Sequence, residues 1–380
     1  MDATGIICEY NPLHLGHKKQ LDTIKAAHPD SGIVCLMSGN YVQRGMPAIL
    51  DKSLRAQAAI ACGADLVLEL PITACLSSAE GFASEGVRVL SGFCTRLCFG
   101  AETADWEALL STAQALLRPD FPDALHSELE KGLSFPAARQ AALETMGVSG
   151  DLLIRPNDIL ATEYCKAILS QNSAMEPMPI HRQGAYHEAE ADRDNPSATA
   201  VRSRMLQKEL WTPFVPEEAA ACFASAPLHA LQAGENGILY RLRTMTDEEF
   251  AALPYGSEGL WRKLMHNART FASLEEILTA TKSKRYTRTR LDRMVMCAYL
   301  GLTEADLSAP VPYVRVLALN NTGREILKAA RKTGVFPNAG DFVESPYQQL
   351  EHRAGMLYHL FALVPTPPLA EKDRRIFYQK

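Results

Sequence analysis

Two histidines three residues apart are the residues of this 380-residue chain with the clearest capacity for chemistry. They lie in Asn11-Pro12-Leu13-His14-Leu15-Gly16-His17, a segment of the form His-x-Gly-His between an apolar run and an amphipathic one. Glycine lets a phosphate approach the backbone, and imidazoles at a helix N-terminus can donate hydrogen bonds to phosphoryl oxygens. The segment therefore predicts a site for adenylyl transfer. The alternative is a helix cap and a surface histidine.

A second polar segment, Ser197-Ala198-Thr199-Ala200-Val201-Arg202, has the composition of a phosphate-binding helix start. Ser197 and Thr199 can cap the helix and contact phosphate, and the planar guanidinium of Arg202 can bind two phosphoryl oxygens at once. The alternative is an ordinary N-cap followed by a solvated arginine. The first motif in the same chain favours phosphate binding.

The elements around the first motif alternate between short apolar runs and amphipathic stretches, which predict strands and helices in turn. The predicted strands are Gly5–Tyr10, Gly32–Met37, Asp65–Leu70, Arg96–Phe99 and, later, Met178–Ile180. The predicted helices are His14–Ala27, Lys52–Cys62, Ser77–Leu90 and one that begins at Ala104. Near-continuous apolar strands indicate a parallel sheet covered on both faces, hence a doubly wound, Rossmann-like α/β domain. Ligands bind beyond the carboxyl ends of such strands, so residues 9–17, 38–44 and 100–102 should converge on one crevice.

The length of the chain indicates two domains, or one domain with a large appendage, because single cores usually stop growing near ~250–300 residues. We predict an ATP-binding domain over residues 1–210. Beyond Trp211 the strand rhythm is lost, which predicts a mostly helical region over residues 211–380, with one strand at Val314–Leu319.

The composition is that of a soluble globular protein, with 47% hydrophobic and 22% charged residues. No run approaches the ~20 apolar residues of a membrane span, and the first residues lack the basic start of a secretory signal. We therefore expect a cytoplasmic protein without a membrane partner. The nine cysteines lie mostly in apolar segments, which indicates reduced core residues.

A basic segment between Trp261 and Arg293 contains nine basic and three acidic residues, although the whole chain has a net charge of -5. Such a segment, with Tyr286 in its midst, suits an RNA backbone and a stacked base. The predicted RNA-binding residues are Lys282, Lys284, Arg285, Arg288 and Arg290. Taken alone, a charge run of this kind favours the alternative, a solvated helix face. If the segment binds RNA, its distance along the chain from both phosphate motifs leads us to expect that it serves RNA binding alone.

The two phosphate motifs together resemble the signature of the nucleotidyltransferases and class I aminoacyl-tRNA synthetases. Further blocks narrow the resemblance: residues 5–17, 38–45, 63–71, 99–102, 157–161 and 282–287 are similar, in order, to bacterial tRNA(Met) cytidine acetate ligases. Met46 and Asp158 depart from that pattern, at positions where an acidic residue and a second amide are expected. Neither departure affects the phosphate motifs.

The resemblance implies a ligase that uses ATP to turn acetate into acetyl-adenylate and then acetylates the wobble cytidine of elongator tRNA(Met), forming N(4)-acetylcytidine. It implies that His14 and His17 are catalytic and that ATP is bound by Ile7, Glu9, Tyr10, Asn11, Pro12, Gly16, Gln20, Gly100, Asn157, Arg182, Ser197, Thr199 and Arg202. It also implies that the mostly helical, tRNA-binding region over residues 211–380 contacts the tRNA through the basic segment. Mg²⁺ is the expected companion of ATP. Its ligands are open, since Glu9 and Asp65 could hold the ion or cap strand ends.

Several alternatives stay open at this stage. Asn157 follows a proline and precedes an apolar helical pattern, so it could cap that helix, contact the ligand, or do both. Arg182 ends a predicted strand, where arginine is usually solvated, but the crevice location favours phosphate or adenine contact. A small-molecule adenylyltransferase of coenzyme biosynthesis and a non-catalytic ATP- and tRNA-binding protein are the rival functions. The sequence leaves the oligomeric state open.

Overall fold

A seven-stranded sheet joins the beginning and the end of the chain. The computed structural model describes residues 2–182, 195–283, 285–309, 311–332 and 345–380. The strands are β1 (Ala3–Cys8), β2 (Gly32–Ser38), β3 (Tyr41–Val42), β4 (Met46–Pro47), β5 (Leu66–Leu70), β6 (Arg96–Ala101), β7 (Glu176–His181), β8 (Val316–Leu319) and β9 (Phe377–Tyr378). The sheet has the order β7-β6-β1-β2-β5-β8-β9, and β3 and β4 form a separate antiparallel hairpin. All pairs are parallel except β5 with β8.

Helices cover the sheet and dominate the second half. They are α1 (Leu15–Ala27), α2 (Lys52–Ala61), α3 (Ile72–Cys75), α4 (Ala79–Leu90), α5 (Trp106–Leu116), α6 (Phe121–Glu130), α7 (Phe135–Thr145), α8 (Pro156–Ser170), α9 (Ala198–Gln207), α10 (Glu217–Phe223), α11 (Glu235–Thr244), α12 (Asp247–Ala251), α13 (Leu260–Thr270), α14 (Leu274–Thr281), α15 (Arg288–Leu300), α16 (Glu304–Ser308), α17 (Asn321–Lys332) and α18 (Pro346–Tyr358). Within the described ranges, no helix has both the length and the apolar composition to cross a bilayer.

The central strands are buried on both faces, as their apolar runs predict. In β2, Val34 and Leu36 belong to the core beneath α4, α5 and α8, whereas Ile33 and Cys35 belong to the core beneath α1 and α2. Successive side chains of a strand point to opposite faces, so a strand that is apolar throughout must be covered twice. The doubly wound α/β arrangement is therefore confirmed, and so are the predicted strands and helices to within a few residues. All nine cysteines are free thiols, and all but Cys222 are buried.

The chain after residue 210 is mostly helical, as predicted, but it also returns to the sheet. Helices α11, α13, α14, α15 and α18 share a core of their own, to which Tyr41, Ile72 and Leu76 of the first half contribute. The predicted late strand is present as β8, and it pairs antiparallel with β5. β9, near the C-terminus, pairs with β8. The division at residue 210 stays a prediction, since the sheet contains strands from both sides of it.

Buried ion pairs hold the C-terminal segment against the sheet. The Lys52 ammonium, which is 3% exposed, lies 2.6 Å from Glu69 Oε1 and 2.9 Å from Glu371 Oε2. Arg315 also binds the Glu371 carboxylate, and Arg374 Nη1 lies 2.8 Å from Asp51 Oδ1 at the start of α2. Charges this deeply buried are tolerated only when they are paired. Glu371, near the C-terminus, thus pairs with Lys52 and Arg315, which lie more than fifty residues earlier in the sequence.

Glu351 of α18 borders the same cluster and lines a small cavity with Gly39 and Asn40. Tyr347 donates a hydrogen bond of 2.6 Å to Oε1, while Oε2 is buried without a partner among the described residues. Burial, and then the nearby Glu69 carboxylate, raises the pKa of Glu351 to about 7, although Lys52 and Arg315 oppose the shift. This carboxyl therefore titrates near neutral pH.

We predict that Glu371→Ala lowers the free energy of unfolding by about 3–5 kcal/mol, because it leaves Lys52, Arg315 and Arg374 buried without their shared anion. Urea-induced unfolding at pH 7 measures this loss. The matched control is Glu325→Ala, since Glu325 is exposed and forms only a long pair, 3.5 Å, with Lys328. Equal, small losses in the two variants would contradict a network that depends on Glu371.

A second prediction concerns pH. The pKa of Glu351 is higher in the folded protein than the ordinary value, so the unfolded chain loses this proton first, and stability falls as pH rises through the interval from about 4.5 to 7. Glu351→Gln removes that loss. Between pH 5 and pH 8, the wild type should lose about 2–3 kcal/mol relative to Glu351→Gln in urea-induced unfolding. Parallel pH profiles for the two proteins would show that Glu351 does not titrate in this range.

Candidate active site

A fully buried arginine fixes the carboxyl edge of the sheet, where the candidate site lies. Arg55 Nη1 donates to the carbonyl oxygens of Glu9, at 2.6 Å, and of Ser38, at 3.1 Å. Its Nη2 binds the carbonyl oxygen of Gly39, and its Nε donates to that of Leu50, at 2.9 Å. The guanidinium thereby ties the chain after β1 to the end of β2.

Arg55 is not among the site residues predicted from the sequence. The available signal was its place on the apolar stripe of α2, where a charge needs buried partners. That stripe consists of Arg55, Ala58, Ala59 and Cys62, all of them buried.

The two histidines of the first motif form a reciprocal cap at the start of α1. His14 is the N-cap, and its Nδ1 accepts a hydrogen bond of 3.1 Å from the Gly16 N–H. The His14 N–H in turn donates to His17 Nδ1 at 3.3 Å. The two rings stack with centroids 3.7 Å apart and an interplanar angle of 26°. The cap that we considered as an alternative to a catalytic role is therefore present, and it leaves the other ring nitrogens for ligands.

This cap fixes the protonation of both rings. A neutral imidazole whose Nδ1 accepts a hydrogen bond carries its proton on Nε2. Burial, followed by the charges of Arg182 and Arg202, lowers the pKa of His14 to about 3. Burial, His14 and Arg182 hold the pKa of His17 well below its usual range. Both rings are therefore neutral at physiological pH, with Nε2–H as the donor, and His14 Nε2 is buried with no partner among the described residues.

The other residues of the first motif shape the loop. A Cβ atom on Gly16 would lie 3.0 Å from His14 Cε1, so a side chain there would displace the imidazole. Tyr10 adopts a left-handed backbone (φ 44°), and its ring lies 4.9 Å from that of His17. Asn11 Oδ1 accepts the Ile49 N–H at 2.8 Å, so this side chain serves the scaffold. Pro12 is also buried.

Three more predicted ATP-binding side chains have contacts within the protein. Ile7 packs against Gly86 of α4, where an added Cβ would lie 2.4 Å from Ile7 Cδ1. Glu9 Oε1 accepts the Gln43 N–H at 2.9 Å, and Gln20 Nε2 lies 3.5 Å from Cys98 Sγ. These contacts are with α4, the β3–β4 hairpin and β6 respectively, and the roles of the three residues in ATP binding stay predictions.

The second motif meets the first across more than 180 residues of sequence. Ser197 is the N-cap of α9, and its hydroxyl accepts the Ala200 N–H at 3.1 Å. Arg202 Nη1 donates to the Asn11 carbonyl oxygen at 2.7 Å, and its Nη2 donates to Thr199 Oγ1 at 3.0 Å. The predicted cap is confirmed, and the guanidinium stands at the entry of the loop that holds the two histidines.

The third part of the site lies at the ends of β6 and β7. The Arg182 N–H donates to the Ala101 carbonyl oxygen at 2.8 Å, and its Nη1 lies 3.4 Å from Asn157 Oδ1. A Cβ on Gly100 would lie 3.9 Å from Arg182 Cδ, so these two residues are neighbours. The N-cap of α8 is Arg155, so the interpretation of Asn157 as the cap is wrong. Its amide nitrogen instead donates to Glu102 Oε1 at 2.7 Å.

Asp65 lies at the opposite, amino-terminal edge of the sheet. Its Oδ2 accepts the Ile33 N–H at 2.8 Å, and its Oδ1 accepts from Asn320 Nδ2 at 2.9 Å. It therefore caps a strand end far from the histidine pair and is no candidate magnesium ligand of this site. No group of three or more His, Cys, Asp or Glu side chains within the described ranges is arranged to hold a metal ion.

The predicted RNA-binding arginines have protein acceptors. Arg285 Nη2 lies 2.7 Å from Glu258 Oε1, and Arg288 forms a two-bond pair with Glu275, at 2.8 and 2.7 Å. Arg290 Nη2 donates to the Tyr255 carbonyl oxygen at 2.8 Å. Lys282 is exposed, whereas Lys284 lies outside the described residues. Part of the positive charge of the segment is therefore neutralised locally, which the sequence run alone did not show.

The basic segment is close in space to the crevice. At the tip of the β3–β4 hairpin, Gly45 has φ 75°, and a Cβ there would lie 2.4 Å from the backbone nitrogen of Arg293 in α15. Arg293 Nη1 lies 3.4 Å from the Gln43 carbonyl oxygen. Because the Gln43 N–H binds Glu9, one hairpin separates α15 from the loop after β1. Separation along the chain was therefore a poor guide to the distance between the two regions.

Comparison with known proteins agrees with this geometry. The sequence model of the family described as HIGH Nucleotidyl Transferase matches residues 1–367. A protein of Clostridium novyi (strain NT) named tRNA(Met) cytidine acetate ligase is 36% identical over 361 residues, which cover 89% of each chain. A protein of the same name from Oceanobacillus iheyensis is 30% identical over 404 residues, with 100% of this chain and 98% of the relative covered.

Two solved structures extend the likeness to the whole fold. The crystal structure of Thermotoga maritima TmcAL in an apo form has a TM-score of 0.91 and 28% identity, with complete coverage of both chains. A second form of TmcAL, bound with alpha-thio ATP, has a TM-score of 0.87 at the same identity and coverage. The resemblance predicted from the motifs is confirmed: the chain belongs to the tRNA(Met) cytidine acetate ligase family of HIGH nucleotidyltransferases.

Proposed function

We propose that this protein is an ATP-dependent ligase that converts acetate to acetyl-adenylate and transfers the acetyl group to the wobble cytidine of elongator tRNA(Met). The observation that carries the proposal is the neutral histidine pair at the start of α1, with the guanidinium groups of Arg182 and Arg202 beside it. Family membership supplies acetate and the tRNA as substrates, since relatives carry that name.

In the first step, an acetate oxygen attacks the α-phosphorus of ATP, a P–O bond to acetate forms, and the bond to pyrophosphate breaks. Negative charge grows on the phosphoryl oxygens during this displacement. Neutral Nε2–H donors of His14 and His17 can stabilise that charge without titrating themselves, and donors of this kind are fixed in advance by the cap. Arg182 and Arg202 then offset the charge of the departing pyrophosphate.

In the second step, the cytidine N4 attacks the acetyl carbon, a C–N bond forms, the C–O bond to AMP breaks and N4 loses one proton. The N4 lone pair is delocalised into the ring, so this amine is a poor nucleophile. It therefore needs an acyl group with a good leaving group, which AMP provides. The mixed anhydride formed in the first step is an acyl group with this leaving group.

Mg²⁺ and the cellular location belong to the same proposal. Mg²⁺ is usually held by substrate phosphates and one or two carboxylates rather than by a cage of protein ligands. A site without a cluster of three ligand side chains among the described residues fits an ion that arrives with ATP, with Glu9, which follows β1, as the candidate protein carboxylate. Its charge would offset that of the phosphates. A tRNA substrate also implies a cytoplasmic enzyme.

The surface around α13, α14 and α15 is the part of the protein that we assign to the tRNA. Lys282 is exposed, and Arg262 stacks on Trp261 with its guanidinium carbon 4.6 Å from the ring centroid. An arginine in one ion pair keeps further N–H groups for phosphate, because the guanidinium has five donors. Contact between α15 and the β3–β4 hairpin supports a bound RNA loop that reaches the crevice.

We predict acetate-dependent exchange of labelled pyrophosphate into ATP, and we predict that His14→Asn lowers its rate about 100–1,000-fold. Asparagine is a good N-cap, so this variant keeps an acceptor for the Gly16 N–H but loses the Nε2–H donor. The thermal unfolding midpoint should change little. His229→Asn is the control, because the ring of this second buried histidine stacks on Tyr358 rather than on a histidine of the motif.

The outcome also separates the rival functions. Exchange that ignores acetate and requires a nucleotide or a phosphopantetheine co-substrate would identify an adenylyltransferase of coenzyme biosynthesis. ATP binding without any exchange would identify a non-catalytic protein. Loss of N(4)-acetylcytidine from bulk tRNA of a strain that lacks the protein, measured by mass spectrometry, tests the second step in cells.

We further predict that replacing Lys282, Lys284 and Arg285 by Glu weakens tRNA binding and leaves exchange without tRNA nearly intact. Each lost phosphate contact should reduce the slope of log affinity against log salt concentration by ~0.7–0.9. Filter binding at several salt concentrations measures both quantities.

The control for this variant replaces three exposed cations elsewhere, Arg118, Lys131 and Lys328, by Glu, which gives the same change in net charge. Equal weakening by the two triple variants would show that only overall charge matters. Unchanged affinity and slope in the first variant would reduce the basic segment to a solvated face.

A further inference from the structure

The Glu102 carboxylate, in the loop after β6, receives three hydrogen bonds from the start of α8. Oε1 accepts from Asn157 Nδ2 at 2.7 Å and from the Asn157 N–H at 3.3 Å, and Oε2 accepts the Asp158 N–H at 2.8 Å. The first N–H groups of a helix have no partner within the helix and favour an anion. The N-cap of α8, Arg155, supplies no side-chain bond, so Glu102 does this from another segment.

Glu102 also decides which way the Asn157 amide faces. A carboxylate only accepts hydrogen bonds, so the NH₂ group of Asn157 must point to Glu102 and the amide oxygen must point away from it. That oxygen lies 3.4 Å from Arg182 Nη1. The order of contacts is therefore Glu102, Asn157, Arg182, and it ends on the guanidinium beside the histidine pair.

The loop after β6 and the start of α8 form a clamp, to which a second carboxylate, that of Asp158, also contributes. Asp158, which is fully buried, accepts the Thr103 N–H at 2.9 Å and the Thr103 hydroxyl at 2.6 Å. It joins the same two segments as Glu102 but in the opposite direction. Both of these bonds go to Thr103 rather than to the Asn157 amide, so Asp158 can stabilise the clamp without orienting Asn157.

We propose that Glu102 is a positioning residue for the nucleotide: it orients the Asn157 amide so that the amide oxygen holds Arg182 in place for ATP. This inference rests on the proposed function, because it takes Asn157 and Arg182 as parts of the ATP pocket. Glu102 itself contacts neither ATP nor the reacting atoms. It affects the nucleotide indirectly, because it fixes the orientation of the Asn157 amide, which in turn positions Arg182.

Glu102→Gln tests the proposal. To keep the bond from the Asp158 N–H, the glutamine oxygen must face Asp158, and its NH₂ group then faces Asn157. The Asn157 amide must turn and present its own NH₂ group to Arg182, where two donors repel. We expect the KM for ATP in acetate-dependent exchange to rise about tenfold, with kcat changed less than about threefold.

Asn157→Asp should rescue the Glu102→Gln protein. In this double variant the glutamine NH₂ group has a carboxylate to donate to, and the other carboxylate oxygen accepts from Arg182. The KM should return to within about threefold of the wild-type value. Asn157→Asp alone places two carboxylates against each other and should raise the KM. Asp158→Asn is the control for stability: it weakens the clamp but should leave the KM for ATP near that of the wild type.

The possible results are distinct. An unchanged KM in Glu102→Gln, or a double variant no better than the single one, overturns the positioning role and leaves Glu102 as a helix cap. Should Glu102→Gln not fold, comparison of the double variant with Asn157→Asp alone gives the same decision. Calorimetry of ATP binding distinguishes failure of this inference from failure of the proposed function. Absence of ATP binding to the wild type overturns both. Equal ATP affinity of the wild type and Glu102→Gln overturns this inference alone.

Discussion

A buried guanidinium sets the geometry on which the candidate site depends. Arg55 is fully buried, and burial lowers its pKa, so the protein must offset the cost of keeping the charge away from water. It does so with carbonyl oxygens from four residues of three consecutive segments. Carbonyl oxygens at the carboxyl ends of parallel strands lie close together and need donors. One arginine satisfies both requirements and fixes the point from which the chain leaves β1 towards His14.

From that point the site divides its tasks between neutral and charged groups. Burying a protonated imidazole would be costly, and two stacked imidazolium rings would also repel, so the pair is stable only when neutral. Neutral rings donate hydrogen bonds in a fixed direction, because the hydrogen bonds of the cap place their protons on Nε2. In the proposed function, the charge needed to bind a triphosphate comes instead from Arg182 and Arg202, which contact Asn157 and the Asn11 carbonyl oxygen respectively. Orientation and charge are thus supplied by different residues.

The local sequence pattern was sufficient to predict those parts of the fold that depend only on residues close together in the chain. Apolar runs predicted the strands and the double covering of the sheet, and the two motifs predicted their own helix starts. Arg55, Glu102 and the pairing of Lys52 with Glu371 were missed, because each depends on a partner that sequence distance conceals. Lys52 and Glu371 are 319 positions apart. The basic segment shows a related error. Counting the charges within it leaves out acidic partners elsewhere in the chain, such as Glu258, which neutralise part of its positive charge.

The position of the β3–β4 hairpin gives the proposed reaction a physical rationale. Acetyl-adenylate is a mixed anhydride, which water hydrolyses, so it must meet its acceptor soon after it forms. The hairpin contacts α15 through Gly45 and the loop after β1 through Gln43, and it therefore borders both the RNA surface and the adenylylation site that we propose. An RNA loop bound there would cover the crevice rather than approach it from a distance. A helical region joined to the carboxyl edge of the sheet, instead of tethered by a linker, is what such a transfer requires.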